Sequence, residues 1–411
     1  MATNRITRIR VQGLRTLADV TLDLDGLTVL IGDNGSGKSS LIEACEILRR
    51  AAGESFTSEV QKIHGGAAGL FRFGATQLRL SVRLAGGSWP LEYSFAIREG
   101  GLIDSERFGL ARFENADEDE EWAAEVPKVV LKRNGETFSY LVDDAKGIWV
   151  DKPIDPGQLA LTSFGKFAPH PMIQEVIDAL RGLDVQLPFD TTARWAQRER
   201  GMQSLLRGST TIEPADSLSR FGGNLASAFN SLRNEFSEAH WRETMDYVRL
   251  GLGQDVESIN TRADPGGGVI ALRLKYAGLD AQIPSFNLSD GMLAYLCFVA
   301  LYRLNTKKSL IAFDEPETHL HPELLMRVLG FFEEMAKDRP VLLTTHSDRL
   351  LDGLSDPARS VVLCELDERR ATRLVRPDAD ALREWLKDYR GLGDVRSAGH
   401  AASVMKVRGA K

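Results

Sequence analysis

The chain has 411 residues, 43% hydrophobic and 27% charged, which is enough for a sizeable core and two lobes. No apolar run approaches the length of a bilayer span, and the start MATNRITRIR lacks the apolar centre of a signal peptide, so a globular cytoplasmic protein with no membrane partner is expected. A formal net charge of -7 argues against indiscriminate coating of nucleic acid but leaves room for a local basic face.

Ile9 and Val11, then Val20, Leu22 and Leu24, alternate with polar residues and predict two half-exposed strands. The continuous apolar run Leu27 to Ile31 follows, as expected of a buried parallel strand, and ends in Gly32-Asp33-Asn34-Gly35-Ser36-Gly37-Lys38-Ser39-Ser40. This is a P-loop (Walker A) pattern. Its glycines allow backbone conformations barred to residues with a Cβ, so that successive N–H groups of Asn34, Gly35, Ser36 and Gly37 can point at phosphate oxygens. Lys38 would reach the β and γ phosphates of ATP, and Ser39 would offer its hydroxyl to Mg²⁺. The helix from Ser39 to about Arg50 would aim its positive end at the same anion, with Leu41, Cys45 and Leu48 as its buried stripe.

After His64-Gly65-Gly66, Leu78 to Leu84 and Leu91 to Ile97 alternate cleanly. A further pair, near Val129 to Lys132 and Phe138 to Val142, flanks the hairpin turn Asn134-Gly135. An antiparallel layer beside the parallel sheet is expected, with the acidic run Asp117 to Glu121 as a solvated loop within it. From about Gln158 to Thr261 the period becomes helical, near Ile173 to Leu183 and Asn224 to Phe236. This interval reads as an inserted helical lobe without the heptads of a coiled-coil arm. Arg194, Trp195, Arg198, Arg200 and Arg207 mix cations with an aromatic, as nucleic-acid contacts do, but Glu199 interrupts them and a solvated helix face is the favoured reading. Asp264-Pro265-Gly266-Gly267-Gly268 breaks the chain before a strand carrying Ile270, Leu272, Leu274 and Tyr276.

Phe286-Asn287-Leu288-Ser289-Asp290-Gly291 precedes the apolar helix Met292 to Leu304. Ser289 and Gly291 at a helix start form an anion-binding arrangement, weak when taken alone. Leu310 to Phe313 is a second apolar strand and ends in Asp314-Glu315, the arrangement of a Walker B motif. Asp314 would hold the Mg²⁺ shell, leaving Glu315 to orient and deprotonate the attacking water. One helix later the strand Val341 to Thr345 ends in His346-Ser347, which a parallel sheet would bring to the same edge. His319 and His321 have no carboxylate pattern that would make them a metal site. The cysteines Cys45, Cys297 and Cys364 stand singly in apolar segments and read as buried thiols. Near the end, Trp385, Leu386, Tyr389 and Leu392 form an apolar set that reads as a cap on the sheet.

GDNGSGKSS, NLSDG, FDEPETHLHP and TTHS, in that order, resemble the RecF/SMC-type ATPases of the ABC class, and in particular the prokaryotic ATPases whose Walker B reads DEPE followed by LHP. The resemblance covers little more than a third of the chain, at its two ends. It implies an α/β fold of the ABC-ATPase head type, with an antiparallel β layer and an inserted helical lobe. It also implies ATP sandwiched between two copies of the protein, with Ser289 meeting the γ-phosphate in trans and His346 acting as the switch histidine. Arg15 stands where members of this class often place a basic residue beside the nucleotide, and reads equally as a surface arginine. Asp290 replaces the glycine of the familiar signature, and Gln61 is the nearest candidate for a Q-loop glutamine.

The expected division is an ATPase lobe over 1–157, the helical lobe over 158–261, and a second ATPase lobe over 262–411. The resemblance implies an ATP-driven dimerising switch acting on DNA, in repair or in defence against foreign DNA. A regulatory ATPase that holds a separately encoded nuclease or toxin is the alternative. The 251 positions between Lys38 and Ser289 are too many for a transporter ATPase, and no guanine-reading N-K-x-D is found; Asn305-Thr306-Lys307-Lys308 is not one.

Overall fold

The computed structural model describes residues 4–87, 90–110, 129–143, 148–167, 171–193, 206–263, 268–304, 308–385 and 391–397. The acidic run Asp117 to Glu121, the cluster Arg194 to Arg200, the break Asp264 to Gly267, the stretch Asn305 to Lys307, and Leu386 and Tyr389 lie outside the described residues.

Arg5–Leu14 (β1) and Leu17–Asp23 (β2) pair as a hairpin whose turn holds Arg15 at a φ of 48°. Leu27–Gly32 (β3) is buried over its first five residues and leads into Lys38–Arg50 (α1), then Phe56–His64 (α2). Gln77–Ala85 (β4), Leu91–Arg98 (β5), Ile103–Leu110 (β6), Val129–Asn134 (β7), Thr137–Asp143 (β8) and Ile148–Pro153 (β9) follow as an antiparallel meander. β4 docks on β1, which gives an eight-stranded sheet in the order β2-β1-β4-β5-β6-β7-β8-β9. The alternation puts Leu80 opposite Phe95 and Val82 opposite Tyr93, all buried. β6 was not legible, because its polar Glu106 faces inward. The Glu106 carboxylate accepts N–H groups from Ala160 (2.5 Å) and Leu161 (2.7 Å) and the Tyr93 hydroxyl (2.9 Å). A strand carboxylate thereby caps the next helix, and burial holds its pKa above the ordinary glutamate value.

That helix is Ala160–Phe167 (α3), followed by Pro171–Arg181 (α4), Leu183–Gln186 (β10), Thr210–Thr211 (β11), Leu225–Asn234 (α5), Glu238–Leu252 (α6), Val256–Ala263 (β12), Val269–Tyr276 (β13) and Ile283–Pro284 (β14). The interval 158–261 is therefore not wholly helical. The helix expected to run to Leu183 stops at Arg181, and after Gly182 the chain enters the parallel sheet as β10, beside Leu310–Asp314. Among the described residues the longest helix is α6, with 15 residues.

Asp290–Arg303 (α7), Leu310–Asp314 (β15), Pro322–Met335 (α8), Val341–Thr344 (β16), Asp348–Asp352 (α9), Pro357–Ser360 (α10), Val361–Leu366 (β17), Thr372–Val375 (β18), Ala379–Trp385 (α11) and Leu392–Ser397 (α12) complete the chain. The second sheet runs β10-β15-β16-β3-β17-β18 and is parallel except for β18. Leu392 and Val395 of α12 are buried, and Gly393 lies so close to Asp348 that a Cβ there would meet its carbonyl oxygen at 2.1 Å.

Alternate residues of the parallel strands face two cores. Leu30, Leu310, Ala312, Leu342 and Val362 pack with α1, α3, α4 and the antiparallel sheet; Val29, Ile31, Ile311, Phe313 and Leu343 pack with α5, α6, α7 and α8. The second core joins β3, α5 and α7, so it crosses all three expected lobes. Among the described residues no helix is long and apolar enough to cross a membrane.

Candidate nucleotide site

Parallel packing brings the carboxyl ends of β15, β16, β3 and β17 to one edge, with Asp314 level with Thr344, Thr344 level with Leu30, and Cys364 level with Gly32. Loops leaving such an edge are where open α/β sheets bind ligands.

The loop from Gly32 to Gly37 closes on itself. The Lys38 ammonium donates to the carbonyls of Gly32 at 2.8 Å and Asp33 at 3.0 Å, and the Ser36 amide donates to Asp33 O at 3.2 Å. Burial lowers the Lys38 pKa, and the carboxylates of Glu315, Asp314 and Asp33 oppose that shift. Gly32 has a φ of 142°, and a Cβ there would lie 2.2 Å from Cys364 O. Gly37 has a φ of 104°, and a Cβ would lie 2.5 Å from Thr372 Oγ1 and 2.9 Å from Thr16 Oγ1. Those two hydroxyls are 2.9 Å apart, and Thr372 Oγ1 also donates to Ser36 O at 2.8 Å, so β18 and the β1–β2 turn brace the loop from behind.

These residues fit a polyphosphate. Asn34 and Gly35 are exposed, and no atom of the described residues stands within 4 Å of a Cβ at Gly35, its own chain neighbours aside. Among the described residues Ser36 Oγ is buried without a partner, and α1, preceded by Gly37, has no side-chain cap on its amides, the helix terminus that favours an anion. Ser40 is buried in the first turn of the helix.

Ser39 Oγ lies 3.3 Å from Asp314 Oδ1, joining positions 275 apart in sequence. The same carboxylate oxygen accepts the Thr344 hydroxyl at 2.5 Å. Thr344 in turn receives the Glu315 amide on both its oxygens, at 3.2 Å on the carbonyl and 3.1 Å on Oγ1. This holds Glu315 at a φ of 50°, a left-handed conformation that costs a non-glycine residue about 1 kcal/mol or more. Glu315 Oε1 is 3.7 Å from His346 Nε2. Glu317 accepts the Thr345 hydroxyl and the His346 amide on one oxygen, each at 2.8 Å, and so fixes the backbone that presents the histidine.

Lys38, Ser39, Asp314, Glu315 and His346 are thus gathered at one edge. Arg15 stands on the β1–β2 turn, next to the Thr16 that braces Gly37. Its guanidinium pairs with Glu43 at 2.9 Å, one turn along α1 from Ser39, where His64 Nδ1 meets the same oxygen at 2.8 Å. Gln61 sits exposed on α2 with its side chain toward the Gly101 turn.

Ser289 and Gly291 lie elsewhere on the same chain. Ser289 Oγ caps α7 by accepting the Met292 amide at 3.3 Å and is exposed; among the described residues it has no hydrogen bond to the P-loop of its own chain. Gly291 packs on the loop after β15, where a Cβ would stand 3.2 Å from His319 O.

Arg207, expected on a solvated face, is buried. It donates to the carbonyls of Thr191 (2.9 Å), Phe286 (3.2 Å) and Leu288 (2.6 Å) and pairs with Asp290. Sequence reasoning missed it because three of those partners lie 79 to 83 positions away and the fourth, Thr191, lies 16 away. In the sequence Thr344 reads only as part of a motif. A hydroxyl ending an apolar strand, here fully buried, was the available signal.

Similarity to known proteins extends over most of the chain. Residues 27–352 match the family described as "AAA domain, putative AbiEii toxin, Type IV TA system". The chain is 21% identical over 380 residues to an OLD nuclease of Thermus scotoductus, which covers 91% of this chain and 62% of the relative. It is 35% identical over 80 residues to protein ea59 of Escherichia phage lambda, covering 19% of this chain and 15% of that one. The chain therefore spans less than two thirds of either relative's length. Among solved structures, an SMC head bound to the C-terminal winged-helix domain of ScpA superposes with a TM-score of 0.54 at 12% identity, over 93% of this chain and 99% of that one, a likeness of fold. The fold is that of an ABC-ATPase head, and the chain belongs to the family described as this AAA domain.

Proposed function

We propose that the protein binds ATP with Mg²⁺ at the edge formed by Gly32 to Ser40 and Asp314, hydrolyses it to ADP and phosphate, and uses ATP to join two copies of itself. The contact of Ser39 with Asp314 carries this reading, because a hydroxyl from the P-loop helix and a carboxylate from a distant strand form one small oxygen-rich site.

Asn34, Gly35, Ser36, Gly37 and Ser40 would bind the phosphates, and Lys38 would neutralise the β and γ groups. Ser39 and Asp314 would hold Mg²⁺, whose charge supports the transferring phosphoryl group when it is bound. The Glu315 carboxylate orients the attacking water and accepts its proton, and His346, 3.7 Å away, senses the γ-phosphate end. Ser289, which is exposed, and Gly291, which is half-buried, would meet the nucleotide of a second copy. Hydrolysis removes that bridge and parts the heads, a population shift driven by one phosphate.

The object of the switch is a finer matter. The OLD nuclease among the relatives supports DNA, in repair or in defence against foreign DNA. The toxin–antitoxin wording of the family supports a separately encoded effector. Steady-state phosphate release tests the core of the reading. The protein is expected to hydrolyse ATP, with losses of about a hundredfold or more in Lys38→Ala and Glu315→Gln. Wild-type rates in either variant would refute the assignment. Stimulation by DNA would favour the first object, and copurification of a neighbouring gene product the second.

A further inference from the structure

We infer that Arg207 is the positioning residue of the signature turn and that Asp290 is its counter-ion; this rests on the proposed ATP-dependent pairing of two copies. The turn from Phe286 to Gly291 buries Leu288 and leaves Phe286, Asn287, Ser289 and Asp290 exposed. Leu288 holds the turn on its apolar side. Arg207 supplies the anchor from beneath. One planar guanidinium donates to the carbonyls at 286 and 288 and to the carboxylate at 290, bracketing Ser289 on both sides.

The arginine side chain is only 6% exposed, whereas Asp290 is 52% exposed, so the ion pair spans the wall between the core and the surface that would face a partner. A guanidinium presents several donors in a rigid fork, which a lysine ammonium cannot reproduce at three acceptors held by backbone geometry. Asp290, at a position where the related signature carries glycine, then has a stated use. Its carboxylate brings an opposite charge to the buried cation.

The fourth contact gives the anchor a second end. Thr191 O, 2.9 Å from Arg207 Nε, belongs to the chain leaving β10, and β10 pairs in register with β15, Gln186 level with Phe313. The strand that delivers Asp314 and Glu315 and the turn that presents Ser289 are therefore tied through one side chain. Movement at the carboxylate end has a covalent and hydrogen-bonded route to the turn without any contact between Ser289 and the P-loop of the same chain.

The test is carried out in the full chain carrying Glu315→Gln, with two readings: affinity for a fluorescent ATP analogue, which the P-loop supplies in cis, and ATP-dependent doubling of mass, which needs the turn in trans. Adding Arg207→Met is expected to leave analogue affinity within about threefold and to weaken assembly by about tenfold or more, the size of a lost charge-assisted contact. Arg207→Lys should recover part of the assembly, and Asp290→Asn should weaken it less than Arg207→Met. Unchanged assembly in Arg207→Met would overturn the inference. Equal loss of analogue binding and assembly in both Arg207 variants would assign the residue to general packing and overturn it too. If the Glu315→Gln parent itself stays single with ATP, the paired reading fails first, which separates the two failures.

Discussion

The Thr344 hydroxyl sits between the two carboxylate residues that end β15: it donates to Asp314 Oδ1 at 2.5 Å, and its oxygen receives the Glu315 amide at 3.1 Å. The side chain of β16 thereby sets both the direction of the Asp314 oxygen and the left-handed turn of Glu315. Replacing Thr344 with Val keeps the shape and removes both bonds. Loss of a hydrogen bond to a charged group, about 1.5–3 kcal/mol, predicts a fall of roughly tenfold to a hundredfold in kcat. ATP affinity should change by less than about threefold, since the phosphate cradle is untouched. Steady-state kinetics and nucleotide titration check both numbers, and an unaltered kcat would remove Thr344 from the account.

The glycines of the P-loop divide into two kinds. Gly32→Ala would drive a Cβ to 2.2 Å from Cys364 O, and Gly37→Ala to 2.5 Å from Thr372 Oγ1, both at positive φ. Gly35 also has a positive φ, 78°, but opens on free space. Alanine at 32 or 37 is therefore expected to weaken nucleotide binding by about tenfold or more and to lower the melting temperature, while alanine at 35 costs about 1 kcal/mol of backbone strain. Thermal melts with and without ATP distinguish the three. Equal effects at all three positions would contradict the brace formed by β17, β18 and the β1–β2 turn.

Glu46 provides a pH prediction away from the chemistry. It is buried on α1, yet Arg49, Arg50 and Arg220 all pair with it, Arg50 at 2.5 Å and Arg49 at 2.9 Å. Burial alone would raise its pKa; the hydrogen bond and charge of Arg49 and the nearby Arg220 outweigh burial and hold the carboxyl below the ordinary glutamate value. A lowered folded pKa means that the stabilisation is present above the unfolded value of about 4.3 and is lost as pH falls through the lower folded one. Glu46→Gln should thus destabilise the protein by about 3 kcal/mol near neutral pH, where it leaves cations without their partner. The difference from wild type should shrink below about pH 4.3. Denaturant melts across pH test this, and a difference that grows toward acid would reverse the sign.

Much of the site was legible because its parts are local. A P-loop, a strand ending in two acids and a strand ending in Thr-His each declare themselves within about ten residues, and the parallel-sheet rule brings their ends together. The antiparallel layer was legible where alternation is clean, as at Leu78 to Leu84. It was hidden at β6, where Glu106 faces inward to cap α3. β10 was missed for a related reason. Leu183-Asp184-Val185-Gln186 is short, follows a helix after one glycine, and buries two polar side chains, with Asp184 paired to Lys308 at 3.2 Å and Gln186 bonded to Asp184 at 2.7 Å and to Leu218 O at 3.0 Å. Nothing within four residues signals partners that far away. Arg207 failed likewise: a basic residue near other basic residues reads as surface until the turn it holds is in view.

The most direct measurement is the mass of the Glu315→Gln protein in solution with and without ATP and Mg²⁺, compared with the same protein carrying Ser289→Arg. The account predicts a single copy without nucleotide, two copies with ATP, and a single copy under both conditions once arginine fills the turn at 289. A Glu315→Gln protein that binds ATP yet keeps the mass of one copy, or a Ser289→Arg variant that pairs as readily as its parent, would contradict it.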